Sequence, residues 1–325
     1  MTHPRSVLLG AQAGGQVLPV CDHYSGVAAR MKKSLQLQAE LAEEFGACVF
    51  DVTLDCEDGA PVGAEAEHAA LVAELLASAD PSCRVGVRVH AVDHGAFAHD
   101  VATLVGAADR LPAFVMVPKI DTLEQVTVAV SALDAAGGQD VPLHVLLESP
   151  LAIHHAFDIA AHPRVQSLSF GLMDFVSAHG GAIPSSGMGV SGQFAHPLVV
   201  RAKLALASAA HAFGKVPSHC VVTEFRDADA LRHAALKARN ELGYTRMWSI
   251  HPDQIRTIVE AFAPTLDEVD EAAHIIDQAA RHEWAPIQLA GKLHDRASYR
   301  FFWQILERAH QTGRALPMEI AHYFS

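Results

Sequence analysis

The sequence predicts a TIM (β/α)8 barrel followed by a C-terminal helical extension. Short apolar runs rich in β-branched residues alternate with longer stretches rich in Ala and Leu, which is the pattern of βα units around a parallel sheet. Eight such runs occur before Pro264, and a chain of 325 residues is a common length for one barrel. A Rossmann sheet is the alternative, but no GxGxxG motif follows the first run.

The apolar runs are predicted to be strands and the stretches between them helices. The predicted strands are residues 6–9, 47–54, 85–89, 114–117, 143–147, 165–170, 219–222 and 247–250. The clearest predicted helices are residues 35–45, 65–78, 121–136, 198–213 and 227–242.

We assign residues 1–263 to the barrel and residues 264–325 to the helical extension. The extension is predicted to contain a helix at residues 266–283, a break at Pro286 and a second helix from about Ser298. Eight βα units leave no place for it inside the barrel. We therefore expect it to act as a lid that packs on a neighbouring subunit.

The composition excludes several classes of partner. A net charge of −13 disfavours nucleic-acid binding, which needs clustered Lys and Arg. Half of the residues are hydrophobic, yet no apolar run is long enough to span a bilayer, and no apolar core follows a basic start. The five cysteines are scattered and form no CxxC pair, so neither a disulfide framework nor a zinc knuckle is indicated. A cytoplasmic protein is expected.

A charged residue stands at or just past the end of five successive apolar runs. The intervals between these residues are 33, 31, 29 and 26 residues, about one βα unit each. In a TIM barrel the C-terminal ends of all strands meet on one face, where active sites lie. A charge at the end of an apolar strand is costly unless it is paired, hydrated or bound to metal. A shared site is therefore expected, rather than five unrelated surface residues. The five are Asp55, Arg88, Lys119, Glu148 and Asp174.

Glu148 and Asp174 are the predicted metal ligands. Mg²⁺ commonly takes one or two carboxylates and completes its octahedron with water and substrate, and its open positions suit it to polarise a carbonyl. Mn²⁺ accepts the same oxygen ligands. No His is spaced as in an HxxxH or HxH zinc motif. The other interpretation is that Glu148 pairs with Lys119 or Arg88 in a salt bridge, which is compatible with metal binding.

Arg88 is the predicted substrate-binding cation and catalytic residue. Its guanidinium fork suits a carboxylate or a developing enolate oxygen. Asp55 and Glu57 lie one strand away, in the acidic run DCED at residues 55–58. They either orient Arg88 or hold metal-bound water, or else one of them caps the following helix. Lys119, after Pro118, is a further candidate for substrate binding.

Eight short motifs occur along nearly the whole chain, between about Arg5 and Arg300. They are DCEDGAP at residues 55–61, RVH at 88–90, VPKID at 117–121, LES at 147–149, FGLMD at 170–174, VTEFRD at 222–227, WSIHPDQI at 248–255 and GKLHD at 291–295. In this order they resemble the segments DLEDAVP, RIN, PKVES, IET, FGTDD, YTDFRD, AIHPDQI and DGKMID. Those segments belong to the superfamily that contains the citrate lyase β subunit, the malyl-CoA lyases and the HpcH/HpaI aldolases.

The resemblance implies a Mg²⁺-dependent carbon–carbon lyase or aldolase. Such an enzyme joins a 2-oxo acid to an enolate donor, here expected to be an acyl-CoA thioester, or cleaves that bond. It further implies that Glu148 and Asp174 hold the metal, that the metal chelates the 2-oxo acid, and that Arg88 contacts the substrate and the enolate oxygen.

The resemblance also implies a homo-trimer or homo-hexamer. Asp295 matches an Asp that, in malyl-CoA lyases, reaches a neighbouring subunit's site as acid or base; the alternative is that it caps a helix. His251, in the HPDQI segment, is a candidate substrate-binding residue.

The chain departs from the family pattern in places that leave the acyl partner open. Residues 5–10 lack the family's Pro-Gly, and a polar Gln/Gly stretch follows them. His90 stands in place of Asn, and Leu172 and Met173 in place of Thr-Asp.

A basic cluster of Arg30, Lys32 and Lys33 has two interpretations. It is either a site for CoA phosphates or a solvated helix face. Two other functions compete with the leading one: a CoA-independent HpcH/HpaI-type aldolase, and a non-catalytic barrel that binds a metabolite.

Overall fold

Eight parallel strands close into a barrel in which β1 pairs with both β2 and β8. The structure is a computed structural model that describes residues 3–10, 17–60 and 62–324; the polar stretch at residues 11–16 and Pro61 of the first motif lie outside the described residues. The predicted TIM barrel is confirmed. The strands are β1 (Cys21–Ser25), β2 (Phe50–Asp55), β3 (Val85–Arg88), β4 (Val115–Val117), β5 (Leu143–Leu147), β6 (Val165–Phe170), β7 (Val216–His219) and β8 (Arg246–Ser249).

Helices surround the barrel and continue beyond it. They are α1 (Pro4–Leu9), α2 (Ala28–Phe45), α3 (Glu65–Ser78), α4 (Phe97–Val101), α5 (Leu123–Ala135), α6 (Pro150–His154), α7 (Ala156–Ala161), α8 (Leu172–Ser177), α9 (Pro197–Ala212), α10 (Ala228–Leu242), α11 (Pro252–Phe262), α12 (Leu266–Arg281), α13 (Arg296–Gln311) and α14 (Met318–Ala321). A π-helical segment (Ala102–Gly106) extends α4, and an antiparallel hairpin of β9 (Ile287–Leu289) and β10 (Lys292–His294) precedes α13.

The predicted first strand at residues 6–9 is wrong, because these residues belong to helix α1. Pro4 occupies the first turn of α1, where its missing N–H is not needed, and the backbone N–H of Arg5 donates to Nδ1 of His3 at 3.2 Å. The true β1 has the sequence CDHYS, which contains no β-branched run. The comparison of residues 5–10 with the family's first strand is therefore also wrong.

The other strand positions follow the apolar runs with small shifts. Strands β5 and β6 begin and end at the predicted residues. Strand β7 lies three residues earlier than predicted, since Val216 pairs in register with Ser167 of β6, and Ser218 with Arg246 of β8. The prediction placed this strand too late because β7 itself contains Pro217 and polar residues, and the apolar residues come after it.

Paired charges occupy the interior of the barrel. Arg246 of β8 is fully buried, and its Nη2 lies 3.1 Å from Oδ2 of Asp22 on β1 and 2.8 Å from Oδ2 of Asp51 on β2. Thr53 donates a 2.7 Å hydrogen bond to Oδ1 of Asp22, and Nη1 of Arg246 donates to the carbonyl of Pro19 at 2.9 Å. Arg246 therefore joins the first and last strands, where the barrel closes.

The C-terminal helices form a second apolar cluster together with α1. Tyr299 and Trp303 of α13 are buried in it, and Leu8 of α1 packs against the same cluster. Arg5 of α1 pairs with Glu307 of α13 at 2.7 Å. The boundary at residues 263 and 264 stays a prediction. A helix both long enough and apolar enough to span a bilayer is absent from the described residues.

Replacing Arg246 should strongly destabilise the barrel. Arg246→Met keeps much of the side-chain volume but leaves Asp22 buried without its cation and removes one of the two cations of Asp51, which keeps Arg84 at 3.0 Å. We expect the free energy of unfolding, measured by urea denaturation, to fall by about 3–5 kcal/mol. The control is Arg256→Met, which breaks an exposed pair with Glu44 and should change stability little. Equal effects of the two substitutions would contradict the role given to Arg246.

Candidate active site

A buried ion pair between Arg88 and Asp55 forms the centre of the barrel mouth. Both residues end their strands and lie opposite each other in the β2–β3 register. Nε of Arg88 donates to Oδ1 of Asp55, and Nη2 donates to Oδ2, each at 2.6 Å. Burial disfavours the charged guanidinium, but Asp55 more than compensates and raises the pKa of Arg88 above its ordinary value. Arg88 is thus a permanent cation in a fixed orientation.

The local backbone holds the Asp55 carboxylate in place. The N–H groups of Glu57 and Gly59 donate to Oδ1 and Oδ2 of Asp55, each at 2.9 Å. A Cβ at position 59 would collide with Oδ2 of Asp55, so this turn requires glycine. Helix α3 begins after Ala64, whose side chain caps nothing. The acidic run therefore orients Arg88 and does not cap the next helix.

Glu57 connects Arg88 to Lys119. Its Oε2 lies 3.2 Å from Nη1 of Arg88, and its Oε1 lies 2.5 Å from Nζ of Lys119. Burial alone would raise the pKa of Glu57, but the charges of Arg88 and Lys119 outweigh burial and lower it. Glu57 is consequently an anion that ties the ends of β2, β3 and β4 together.

Lys119 also supports Glu148 through its backbone. Its φ of +55° lies in the left-handed region, which costs a residue other than glycine roughly 1–2 kcal/mol. In this conformation its N–H donates to Oε1 of Glu148 at 2.8 Å. Strain of this kind concentrates at functional sites. The alternative interpretation had Glu148 in a salt bridge with Lys119 or Arg88; in the described residues Glu148 instead accepts this backbone hydrogen bond.

Glu148 and Asp174 form a close carboxylate pair. Glu148 follows β5 and is buried, whereas Asp174 lies in the first turn of α8 and is half-buried. Burial and then the negative charge of Asp174 raise the pKa of Glu148 to about 8. Gly171 makes this approach possible, because a Cβ there would lie 2.5 Å from both Cβ and Oε2 of Glu148.

This pair fits a divalent cation with few protein ligands. Two adjacent carboxylates repel each other, and a cation between them would remove the repulsion. No group of three or more His, Cys, Asp or Glu side chains suited to a metal occurs in the described part of the chain. Two hard oxygen donors with open positions match Mg²⁺, whereas structural zinc needs four nitrogen or sulfur ligands.

An aromatic and apolar floor lies beneath these charges. Tyr24 of β1 and Trp248 of β8 make an edge contact with ring centroids 4.9 Å apart, and Met116 and Leu146 pack in the same cluster. Nε1 of Trp248 donates to Oγ of Ser169 at 3.1 Å. Sequence reasoning missed Tyr24 because it missed β1; the alternation of outward and inward residues in CDHYS was the available signal.

Two groups of predicted residues make no contact with the charged cluster among the described residues. His251 caps α11 and stacks on Phe225, with centroids 4.7 Å apart, beside a pocket of about 660 Å³ lined by residues 223–229. Arg30, Lys32 and Lys33 are exposed on the first two turns of α2, directly after β1. Their proposed roles stay predictions.

Asp295 lies in the C-terminal extension. It is exposed and caps α13 by accepting from the N–H groups of Ala297 and Ser298 at 2.9 and 3.3 Å. The cap is present in the single chain, and a role at a neighbouring site stays a prediction.

The chain is similar to a family of known enzymes. The family model described as HpcH/HpaI aldolase/citrate lyase matches residues 35–252. The L-malyl-CoA/beta-methylmalyl-CoA lyase of Cereibacter sphaeroides is 30% identical over 283 residues, which are 80% of this chain and 87% of that protein. A citrate lyase subunit beta-like protein of Deinococcus radiodurans is 30% identical over 236 residues, 70% of this chain and 77% of that protein.

Solved structures share the fold over most of the chain. The crystal structure of a citrate lyase from Burkholderia xenovorans LB400 is 49% identical, covers 100% of both chains and has a TM-score of 0.84. The protein CitE from Mycobacterium tuberculosis, in complex with magnesium, acetoacetate and coenzyme A, is 22% identical, covers 90% of this chain and 98% of its own, and has a TM-score of 0.68. The resemblance carried by the motifs is confirmed.

A methyl group at position 171 should displace Glu148. Gly171 has an ordinary φ of −90°, so Gly171→Ala strains no backbone torsion and acts through the collision alone. We expect the Mg²⁺ affinity, measured by calorimetry, to fall by about 10- to 100-fold, the loss seen when groups that support a metal ligand are removed.

The matched control is Gly106→Ala. Its added Cβ would meet only Ala136, with the nearest atom at an ordinary 3.6 Å, and Mg²⁺ affinity should not change. Unchanged affinity in Gly171→Ala would show that Glu148 is not held as a metal ligand in this position.

Proposed function

We propose that this chain, which belongs to the HpcH/HpaI aldolase/citrate lyase family and is a carbon–carbon lyase, uses Mg²⁺ to make or break a bond between a 2-oxo acid and the enolate of an acyl-CoA thioester. The observation that carries the proposal is the close Glu148–Asp174 carboxylate pair at the same barrel mouth as the oriented Arg88 cation. The carboxylate pair suits a metal that binds a 2-oxo acid, and the Arg88 cation suits an oxyanion.

Glu148 and Asp174 would hold the metal. Bound Mg²⁺ supplies a Lewis acid that polarises the carbonyl of a 2-oxo acid. The backbone N–H of Lys119 donates to Oε1 of Glu148 and so keeps this carboxylate in place for the cation. Asp174 approaches from α8, so the two ligands come from adjacent units and leave the mouth side open.

Arg88 would bind the substrate with the donors that Asp55 and Glu57 leave free. A guanidinium has five N–H groups. Asp55 accepts two of them in hydrogen bonds, and Nη1 forms an ion pair with Glu57 at 3.2 Å, so each terminal nitrogen keeps at least one N–H for a ligand. These two donors suit a substrate carboxylate or the oxygen of an enolate.

Two lines of support favour a CoA thioester as the enolate donor. The lyase from Cereibacter sphaeroides is named for CoA esters, and the CitE structure contains coenzyme A, magnesium and acetoacetate. In this chain Arg30, Lys32 and Lys33 are exposed where α2 leaves the C-terminal end of β1. We assign them to the CoA phosphates.

We further propose a cytoplasmic homo-trimer or homo-hexamer in which the extension covers a neighbouring subunit's site. Leu293 and Phe301, on either side of Asp295, are 74% and 59% exposed. A second subunit packed here would bury these apolar side chains and bring Asp295 to its mouth as acid or base.

The carboxylate pair is tested by Glu148→Gln and Asp174→Asn. Each substitution removes one charged metal ligand at nearly constant volume. We expect turnover of a 2-oxo acid (pyruvate, glyoxylate or oxaloacetate) with acetyl-CoA or propionyl-CoA to fall by at least about 100-fold, with a folded barrel by circular dichroism. For the wild-type protein, calorimetry should show that Mg²⁺ and the 2-oxo acid each enhance the binding of the other.

The matched control is Glu260→Gln, which removes an exposed carboxylate paired with Arg232 and should keep wild-type turnover. Wild-type activity in either ligand variant would overturn the metal assignment. Turnover with free acids or aldehydes, and none with thioesters, would instead identify a CoA-independent aldolase.

Asp295 is tested by mixing two inactive variants. Asn is also a good helix cap, so Asp295→Asn should keep α13 intact while it removes the acid. After subunit exchange with Glu148→Gln, about a quarter of the sites in a cyclic oligomer would combine both intact residues. Activity should therefore return to about that level.

If labelled subunits exchange and no activity returns, Asp295 does not act across an interface. A monomer by light scattering would exclude the arrangement altogether.

A further inference from the structure

We propose that Tyr24 is a further catalytic residue whose phenol hydroxyl donates a hydrogen bond to the oxyanion of the enolate donor, beside Arg88. This inference rests on the proposed lyase function and adds a group to its site. The resemblance assigns no role to this position.

The position of Tyr24 follows from β1. Inward and outward side chains alternate along a strand. Asp22 faces the barrel interior, where it meets Arg246, whereas His23 faces outward and contacts Ser34 of α2. Tyr24 is therefore the next inward residue, at the C-terminal end of β1 and one level above Asp22.

The ring of Tyr24 supports Arg88 from the face of the guanidinium. Cζ of Arg88 lies 5.0 Å from the centroid of the ring, while Asp55 engages the edge of the guanidinium. Trp248 holds the ring from the other strand by its edge contact. The hydroxyl is thus attached to a ring fixed on both sides.

The hydroxyl itself has no partner. No described residue forms a hydrogen bond with it, although Arg88, Asp55, Asp58 and Glu57 are all near enough to act on its charge. Tyr24 is half-buried, and its oxygen is not among the solvent-excluded side-chain atoms that lack a partner, so a ligand in the mouth can reach the hydroxyl. A substrate oxygen in the mouth would accept its hydrogen bond.

The chemistry of a phenol suits donation and not proton abstraction. Burial raises the pKa of Tyr24 to about 12, so the group stays neutral and protonated at working pH. Its O–H and a free N–H of Arg88 would approach one oxygen, which is the composition of an oxyanion hole. The proton is shared with the oxyanion and is not transferred, so no bond is broken in this step.

Support of Arg88 alone would not need the oxygen. A phenylalanine ring would fill the same space beneath the guanidinium, and it would avoid an unpartnered hydroxyl. Tyr24→Phe therefore separates the two roles, because it keeps the ring and removes only the donor.

The control is Tyr244→Phe, which removes a hydroxyl that already has a hydrogen-bond partner within the protein. Tyr244 is buried away from the mouth and donates to the carbonyl of Lys203 at 3.0 Å. Loss of that bond should lower Tm and leave kcat unchanged. Tyr24→Phe should do the reverse, with an unchanged Tm and a kcat about 100-fold lower.

A binding measurement complements the kinetics. The probe is a CoA analogue in which a carboxylate replaces the thioester and so imitates the enolate oxygen; acetyl-CoA is the neutral comparison. By calorimetry, Tyr24→Phe should weaken binding of the analogue about 10-fold more than binding of acetyl-CoA. A structural role of Tyr24 would weaken both equally.

The outcomes separate this inference from the function on which it rests. If the wild type turns over thioesters and Tyr24→Phe keeps its kcat and its preference for the analogue, Tyr24 is not catalytic and the lyase function stands. If the wild type neither turns over nor binds any thioester, the proposed function and this inference both fail.

Discussion

Pairing of buried charges is the constraint on which both the barrel and its candidate site depend. Removing an ion from water costs several kcal/mol, which neighbouring charges must offset. Arg246 meets this condition with Asp22 and Asp51 in the interior of the barrel. Arg88 meets it with Asp55 at the mouth. The same physical requirement therefore closes the barrel between its first and last strands and fixes the cation of the site.

The hydrogen-bonded register of the strands connects the charges in the barrel interior with those at the mouth. Asp22 lies opposite Trp248 across the β1–β8 ladder, and Asp55 lies opposite Arg88 across the β2–β3 ladder. Because side chains alternate along a strand, a slip of one residue would turn a whole set of inward groups toward the helices. The position of Tyr24 above Asp22 is set in the same way. The strand ends at the mouth thus take their positions from the register of the sheet, which suits a site that must present fixed dipoles to a developing charge.

The backbone at the mouth adopts conformations that most residues resist. The backbone of Lys119 is in the left-handed region. Gly59 and Gly171 lie where a side chain would collide with Asp55 and Glu148, respectively. In return, backbone N–H groups hold both carboxylates. Strained residues persist where the surrounding structure outweighs their cost. Here the surrounding structure is the barrel, and the result is two carboxylates oriented before any ligand binds.

The sequence by itself determined the barrel and several groups of its site, because both depend on local periodicity. Strands β5 and β6 are buried almost throughout, and their ends agree with the prediction to the residue. Arg88 and Glu148 are predicted at one face because each stands at the end of a predicted strand, and the C-terminal ends of all strands in a barrel meet there. Only the tertiary structure decided the place of β1, because the polar side chains of CDHYS become stable in a strand only through partners on β2, β8 and α2. It likewise decided that the backbone of Lys119, and not its charge, holds Glu148. A contact between residues far apart in the chain has no local periodicity, so no pattern in the sequence reports it.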